Sequence, residues 1–238
     1  MKRIIGHRGW ASQAPENTIH GFKKCMEDDR VWAIECDVHL TKDKKIVVAH
    51  DPKLGRTCNG TGLIAEHTYE ELLQYDFGGW FGEEFKDTKI MLYSDLLKLI
   101  GGKKRLVCEI KSEFGLNNEI VPYILEESKG VPKDMLCFKS FDHRIMKKLA
   151  DAGCEYDLGL LFMDKAYGIV EECKACGCNF ISMLYYNYDQ EIFDELKEAG
   201  IDCYAWTVDT IENADFMYKC NNHEVAIITN KPQLFFEY

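Results

Sequence analysis

Two histidines stand where short apolar runs end. Ile4-Ile5-Gly6 leads into His7-Arg8-Gly9, and KIVVA leads into His50-Asp51. Three carboxylates interrupt runs that are otherwise apolar: Glu35 and Asp37 in WAIECDV, and Glu109 in RLVCEIK. On a strand, the E-x-D spacing puts both side chains on one face. Burying three anions together is costly unless a cation joins them. Hard oxygen ligands of this kind suit one divalent cation, Mg²⁺ or Ca²⁺, rather than zinc. Any one of these carboxylates alone reads as salt-bridged or as an exposed edge residue. Three at strand ends, flanked by two histidines, read as a metal site. Histidine titrates near neutral pH, so His7 and His50 form a candidate pair in which one takes a proton and the other gives one. His20, His39, His67, His143 and His223 read as structural, with His39 near the site. Arg8 has the fork geometry for phosphate oxygens, and Lys111 supplies a point charge.

Those cations matter because the chain is acidic, with a net charge of −11 over 238 residues. That balance excludes a sequence-blind nucleic-acid binder, which needs a basic face. An anionic small molecule is still a fitting ligand, provided a metal ion or a few placed Arg and Lys residues supply positive charge locally. No apolar run approaches the roughly 18 residues of a membrane span, and MKRIIG lacks the apolar stretch of a signal peptide. The expectation is a cytoplasmic protein. Its eleven cysteines then read as reduced thiols that act as small buried hydrophobes. The cluster Cys173, Cys176 and Cys178 invites zinc, but no second Cys or His pair stands nearby.

The elements that must position these residues alternate. Strand-like runs cover 3–6, 32–38, 45–50, 105–110, 135–141, 156–162, 179–184, 203–208 and 226–230. Amphipathic helical patterns fill most gaps, and several end at glycine, as helices often do (Gly130, Gly153, Gly177, Gly200). Alternation of this kind implies a parallel sheet, and at this length the (β/α)₈ TIM barrel is the leading architecture, ahead of a doubly wound open sheet. Nine strands are one too many. Only TKDKK separates the second run from the third, too short for a parallel crossover, so these two form an antiparallel hairpin. A tip at Asp43-Lys44 places Asp37 opposite His50. In a barrel all strand ends then converge on one mouth, where polar residues read as functional. Gly9 lets the chain turn there, and Pro15-Glu16 begins a helix. Asn17 either bonds to the loop or site, or simply caps. Trp206, at a later strand end, either packs on a substrate or belongs to the barrel core.

The ordered pattern HRG, PENT, ECD, VVAHD, RTCNGTG, CEIK, KSFD, WTVD and IITNKP resembles the glycerophosphodiester phosphodiesterase family over nearly the whole chain. The resemblance implies a TIM barrel that hydrolyses glycerophosphodiesters to sn-glycerol 3-phosphate and an alcohol. It implies a divalent cation on Glu35, Asp37 and Glu109, with His7 and His50 as general acid and base and with Arg8 and Lys111 near the phosphate. It also implies a small inserted subdomain after the hairpin, approximately residues 51–92. There Tyr75, Phe77, Trp80, Phe81 and Phe85 either line a pocket for the leaving alcohol or glue the subdomain to the barrel. Two departures stand out: KIMLYSDLL replaces a Pro-Thr-Leu segment, and Asn230 replaces an aspartate. Neither is expected to touch the metal or proton-transfer residues. The expected reaction is metal-assisted cleavage, with water or the glycerol 2-hydroxyl as nucleophile. The alternatives are a lyase-type phosphodiesterase that stops at a cyclic phosphate, and a catalytically silent phosphodiester-binding module.

Overall fold

The computed structural model describes residues 2–221 and 224–238; His223 lies outside them. Eight parallel strands close on themselves: β1 (Ile4–Gly6), β2 (Ala33–Leu40), β5 (Arg105–Ile110), β6 (Leu136–Ser140), β7 (Asp157–Phe162), β8 (Phe180–Leu184), β9 (Asp202–Trp206) and β10 (Ala226–Thr229). β1 pairs with both β2 and β10, which seals the cylinder. Helices α1 (Ile19–Glu27), α3 (Tyr93–Ile100), α4 (Ile120–Glu127), α5 (His143–Asp151), α6 (Ile169–Ala175), α7 (Gln190–Ala199) and α8 (Ile211–Asn221) cover the outside. This is the TIM barrel expected from the alternation of patterns. Among the described residues, no helix is long and apolar enough to cross a membrane.

Strand parity divides the core. One set of alternate residues, including Ile34, Cys36, Val38, Cys108, Phe138, Ile181 and Ile227, packs outward against the helices. The other set points inward. Ile5, Ala33, Val107, Cys137, Phe180, Tyr204, Ala226 and Ile228 form a separate apolar layer inside the barrel. Phe180 and Tyr204 stack there with ring centroids 4.6 Å apart. A Cβ on Gly159 would lie 2.1 Å from the Phe180 ring, so the ring occupies the space of a missing side chain. One step further along the same inward rows, towards the strand C-termini, come Glu35, Asp37, Glu109, Lys111 and Lys139, all buried. The apolar layer floors the barrel beneath this polar one.

The hairpin is present, with a different register. β3 (Ile46–Val48) runs antiparallel to β2, with Val38 opposite Val48 and Leu40 opposite Ile46. The turn is three residues long rather than two, with Lys44 at φ +62° and Thr41 closing on Lys45, the hairpin form whose third residue is left-handed. Asp37 therefore faces Ala49, whose N–H donates to its carbonyl at 3.0 Å, and not His50. A short strand β4 (Met91–Leu92), absent from the sequence reading, pairs with β3. Between them the chain passes through short turns and α2 (Tyr69–Leu72), held by an apolar cluster of its own that includes Leu54, Cys58, Ile64, Leu72, Phe77 and Ile90.

One helix start also differs from expectation: Pro15 and Glu16 precede α1, which opens at Ile19 behind Thr18. α6 opens at Ile169, directly after the left-handed Gly168. Cys173 and Cys178 are buried free thiols within the outer core.

Candidate active site

Strand register builds the site. Asp37 on β2 lies beside Glu109 on β5, and Glu109 lies beside Lys139 on β6. Glu35 sits two residues before Asp37 on the same inward row. Ligand-capable oxygens of Glu35, Asp37 and Glu109 lie within 4.8 Å of one another, and all three residues are buried. Lys139 Nζ is 3.0 Å from Glu35 Oε1, an ion pair outside hydrogen-bond geometry. Lys111 Nζ is 2.7 Å from Glu109 Oε1 and 3.8 Å from Asp37 Oδ1. Arg8 Nε is 3.4 Å from Asp37 Oδ2. Three cations thus oppose three anions, which offsets the several kcal/mol that each buried charge costs. Burial opposes the Asp37 charge, but Lys111 and Arg8 beside it hold the carboxyl below the ordinary carboxylate range. In Glu109 burial wins over Lys111 and pushes the carboxyl up.

Asp37 Oδ1 has no hydrogen-bond partner although it is buried. A buried carboxylate oxygen left this way is strongly disfavoured, and a cation at the focus of the triad would satisfy it. The donor set, carboxylates only, suits a hard divalent ion. The residues present therefore fit a metal.

The two histidines flank this cluster. His7 follows β1, and its Nδ1 lies 2.8 Å from Asn230 Oδ1. Asn230 Nδ2 in turn donates to Asp209 Oδ2 at 2.7 Å. Asn230, expected to lie clear of the candidate proton-transfer pair, is in direct contact with His7. Burial pushes the His7 ring below its ordinary value of 6.5, against the pull of Glu35. His50 leaves the end of β3 with Nδ1 2.6 Å from Asp51 Oδ1 and Nε2 3.2 Å from Lys111 Nζ. His39 anchors it: its Nε2 lies 3.0 Å from the His50 carbonyl, so that nitrogen carries the hydrogen, while Nδ1 faces the Asn117 amide at 3.1 Å. Burial lowers the His39 pKa and keeps this ring neutral.

The loop after β1 closes the other side. Gly9 has φ +83°, and a Cβ there would lie 2.8 Å from the Gly21 backbone, so only glycine fits. Asn17 bonds to the site rather than to a helix end: Nδ2 donates to Asp37 Oδ2 at 2.8 Å, and Oδ1 accepts from the Asp37 N–H at 3.2 Å. Glu16 accepts from Arg8 at 2.9 Å and from both terminal nitrogens of Arg56.

A cleft of about 760 Å³ opens above the cluster, lined by His50, Glu109, Lys111, Phe141, Met163 and Trp206 among others. Trp206 meets Phe141 edge-on at 5.6 Å; it lines the cleft and also packs on the apolar layer inside the barrel. None of the five aromatics of the 51–92 segment lines this cleft. Phe77 sits in the segment's own cluster, Phe81 packs on Phe85, and Trp80 borders a separate cavity of about 320 Å³ beside Arg56. Sequence reasoning assigned no role to Lys139, Arg56, Asn230 or Phe141. A lysine amid MLCFKSF, on the inward parity of an apolar strand, was the available signal for Lys139; the others depend on loop geometry.

Fold and site define an enzyme of the TIM-barrel class, with its polar cluster at the C-terminal mouth. The profile of the "Glycerophosphoryl diester phosphodiesterase family" matches residues 7–234, and the chain belongs to that family. A glycerophosphodiester phosphodiesterase of Caldanaerobacter subterraneus subsp. tengcongensis is 34% identical, covering 97% of this chain and 94% of that one. The putative glycerophosphodiester phosphodiesterase YhdW of Bacillus subtilis is 29% identical, covering 89% and 88%. Among solved structures, an Oleispira antarctica phosphodiesterase in complex with the product sn-glycerol-3-phosphate superposes with a TM-score of 0.87 at 28% identity, covering 97% of this chain and 94% of that one.

Proposed function

We propose that the protein hydrolyses glycerophosphodiesters to sn-glycerol 3-phosphate and an alcohol, with one divalent cation, Mg²⁺ or Ca²⁺, and with His7 and His50 moving the protons. The observation that carries this reading is the convergence of three buried carboxylates, two with an oxygen that has no hydrogen-bond partner, between two imidazoles. Family membership and the sn-glycerol-3-phosphate bound to the Oleispira structure support it.

Glu35, Asp37 and Glu109 would hold the cation. Bound there, it would neutralise a phosphate oxygen and lower the cost of charge developing on the phosphorus centre. Arg8 and Lys111 both lie against Asp37 and bind the remaining non-bridging oxygen. In this reading His7 is the base. Asn230 Oδ1 accepts from its Nδ1–H, because the Asn230 amide nitrogen is committed to Asp209. Its Nε2 lone pair is then left to take a proton from the nucleophile, and burial keeps the ring neutral. His50 is the acid. The Asp51 carboxylate accepts from its Nδ1–H and orients the ring. Lys111 Nζ lies 3.2 Å from the ring's Nε2 at rest; once the substrate's phosphate engages Lys111, Nε2 takes up from solvent the proton that it then gives to the leaving oxygen. The segment 51–92 acts as an inserted subdomain that supplies Asp51 and Arg56, and the free thiols suit a cytoplasmic setting.

Phosphorus NMR of glycerophosphocholine with the protein tests this. sn-Glycerol 3-phosphate as final product, lost on chelation and restored by Mg²⁺ or Ca²⁺, is the expected result. Accumulation of a cyclic phosphate identifies a lyase instead, and calorimetric binding without turnover identifies a silent binding module.

A further inference from the structure

The barrel mouth is divided. On one side the loops after β1 and β3 present Arg8, Glu16, Arg56, Asp51 and His50 as one continuous polar network. On the other side, each loop after β5, β6, β7 and β8 exposes a large apolar side chain. Phe114 is 86% exposed, Phe141 40%, Met163 57% and Tyr186 58%. Phe141 and Met163 line the same cleft as His50 and Lys111, facing Trp206. The charged groups on that wall are already committed. Asp142 is paired with Arg144 at 3.1 Å, His143 lies 2.6 Å from Glu172, and Glu113 lies 3.5 Å from Lys111. What this wall offers a ligand is therefore mainly apolar surface, beside the exposed Arg144 side chain. A cleft of about 760 Å³ sits in the range of drug-sized sites, roughly 300–1,000 Å³, well beyond what a glycerol and a phosphate fill. Exposed apolar groups gathered in one patch beside a site mark a binding surface.

We propose that the preferred substrate is an amphiphilic glycerophosphodiester whose leaving alcohol carries an extended alkyl or acyl chain, laid along Phe141, Met163 and Trp206. This rests on the hydrolytic reading above. The chain belongs to the leaving side because the apolar wall adjoins His50, the proposed acid. The P–O bond to the chain-bearing oxygen breaks, water supplies the new P–O bond, and His50 protonates the departing alkoxide.

The test compares sn-glycero-3-phospho-octanol with sn-glycero-3-phospho-ethanol, both below the micelle concentration, on the metal-loaded enzyme. Each buried methylene contributes about fourfold, so two or three give a kcat/KM preference of roughly 30-fold for octyl. Phe141→Ala and Met163→Ala, half-exposed positions that tolerate truncation, shrink that ratio to about threefold. Equal rates on the two diesters overturn the proposal and leave the hydrolytic reading standing. An octyl preference seen only above the micelle concentration reveals adsorption to a lipid surface and overturns it. So does a larger enhancement for a diester whose octyl chain is on the glycerol. Cleavage of neither diester refutes the hydrolytic reading. Calorimetric affinities for the two then judge the subsite alone, where equal affinities overturn it.

Discussion

Nδ1 of His7 lies 2.8 Å from Oδ1 of Asn230, and Asn230 is itself held by Asp209 at 2.7 Å. The pair commits Nδ1 of His7 and leaves Nε2 as the nitrogen that the proposed reaction would use. Asn230→Ala should lower kcat by up to ~10²-fold while KM changes little, since a misaligned base costs rate rather than binding. An unchanged kcat would show that His7 is oriented by other contacts.

His7→Ala and His50→Ala should each cut turnover by ~10²-fold or more. Circular dichroism of both variants should match the parent, because neither ring belongs to the apolar layers. Near-normal activity in either one removes it from the proton-transfer pair.

The acid limb of the pH profile reports His7. Burial lowers its pKa from 6.5, so the ring stays neutral, and competent as a base, to a lower pH than a free histidine. kcat/KM should therefore hold as pH falls to about 6.5 and drop only below it. A limb well above 6.5 would mean that the ring rests protonated.

Metal binding has a readout apart from turnover. A ligand at 100 times its Kd stabilises the native state by about 2.7 kcal/mol, which for a chain of this size raises Tm by roughly 5–10 °C. Mg²⁺ or Ca²⁺ should produce such a shift in the chelated protein, and Asp37→Asn should abolish it. A shift that persists in Asp37→Asn places the ion elsewhere.

Gly9→Ala should destabilise the fold by about 2 kcal/mol or more, measured by urea denaturation. Its φ is +83°, and its Cβ would meet Gly21 backbone at 2.8 Å, which cannot move aside as a side chain would. Loss of less than ~0.5 kcal/mol would show that the loop after β1 is free to shift.

The alternation of apolar runs and helical patterns determined the barrel, because each inward or outward residue must match a period of two. The same parity made Glu35, Asp37, Glu109 and Lys111 legible as one cluster, since charged residues on an inward row can meet only at the strand ends. Loop conformation was not legible in this way. A one-residue difference in the turn at Lys44 moved the partner of Asp37 from His50 to Ala49, and His50 reached Lys111 from beyond the strand. Asn17, Arg56 and Asn230 meet the site across long stretches of sequence, through hydrogen bonds that no local period encodes. Sequence alone therefore determined which residue types line the mouth. Only the tertiary pairing decided which of them touch: β2 with β5 and β5 with β6 for the carboxylates and Lys139, and β1 with β10 for the two chain ends that bring His7 to Asn230, because contacts between the first and last strands depend on the whole circumference.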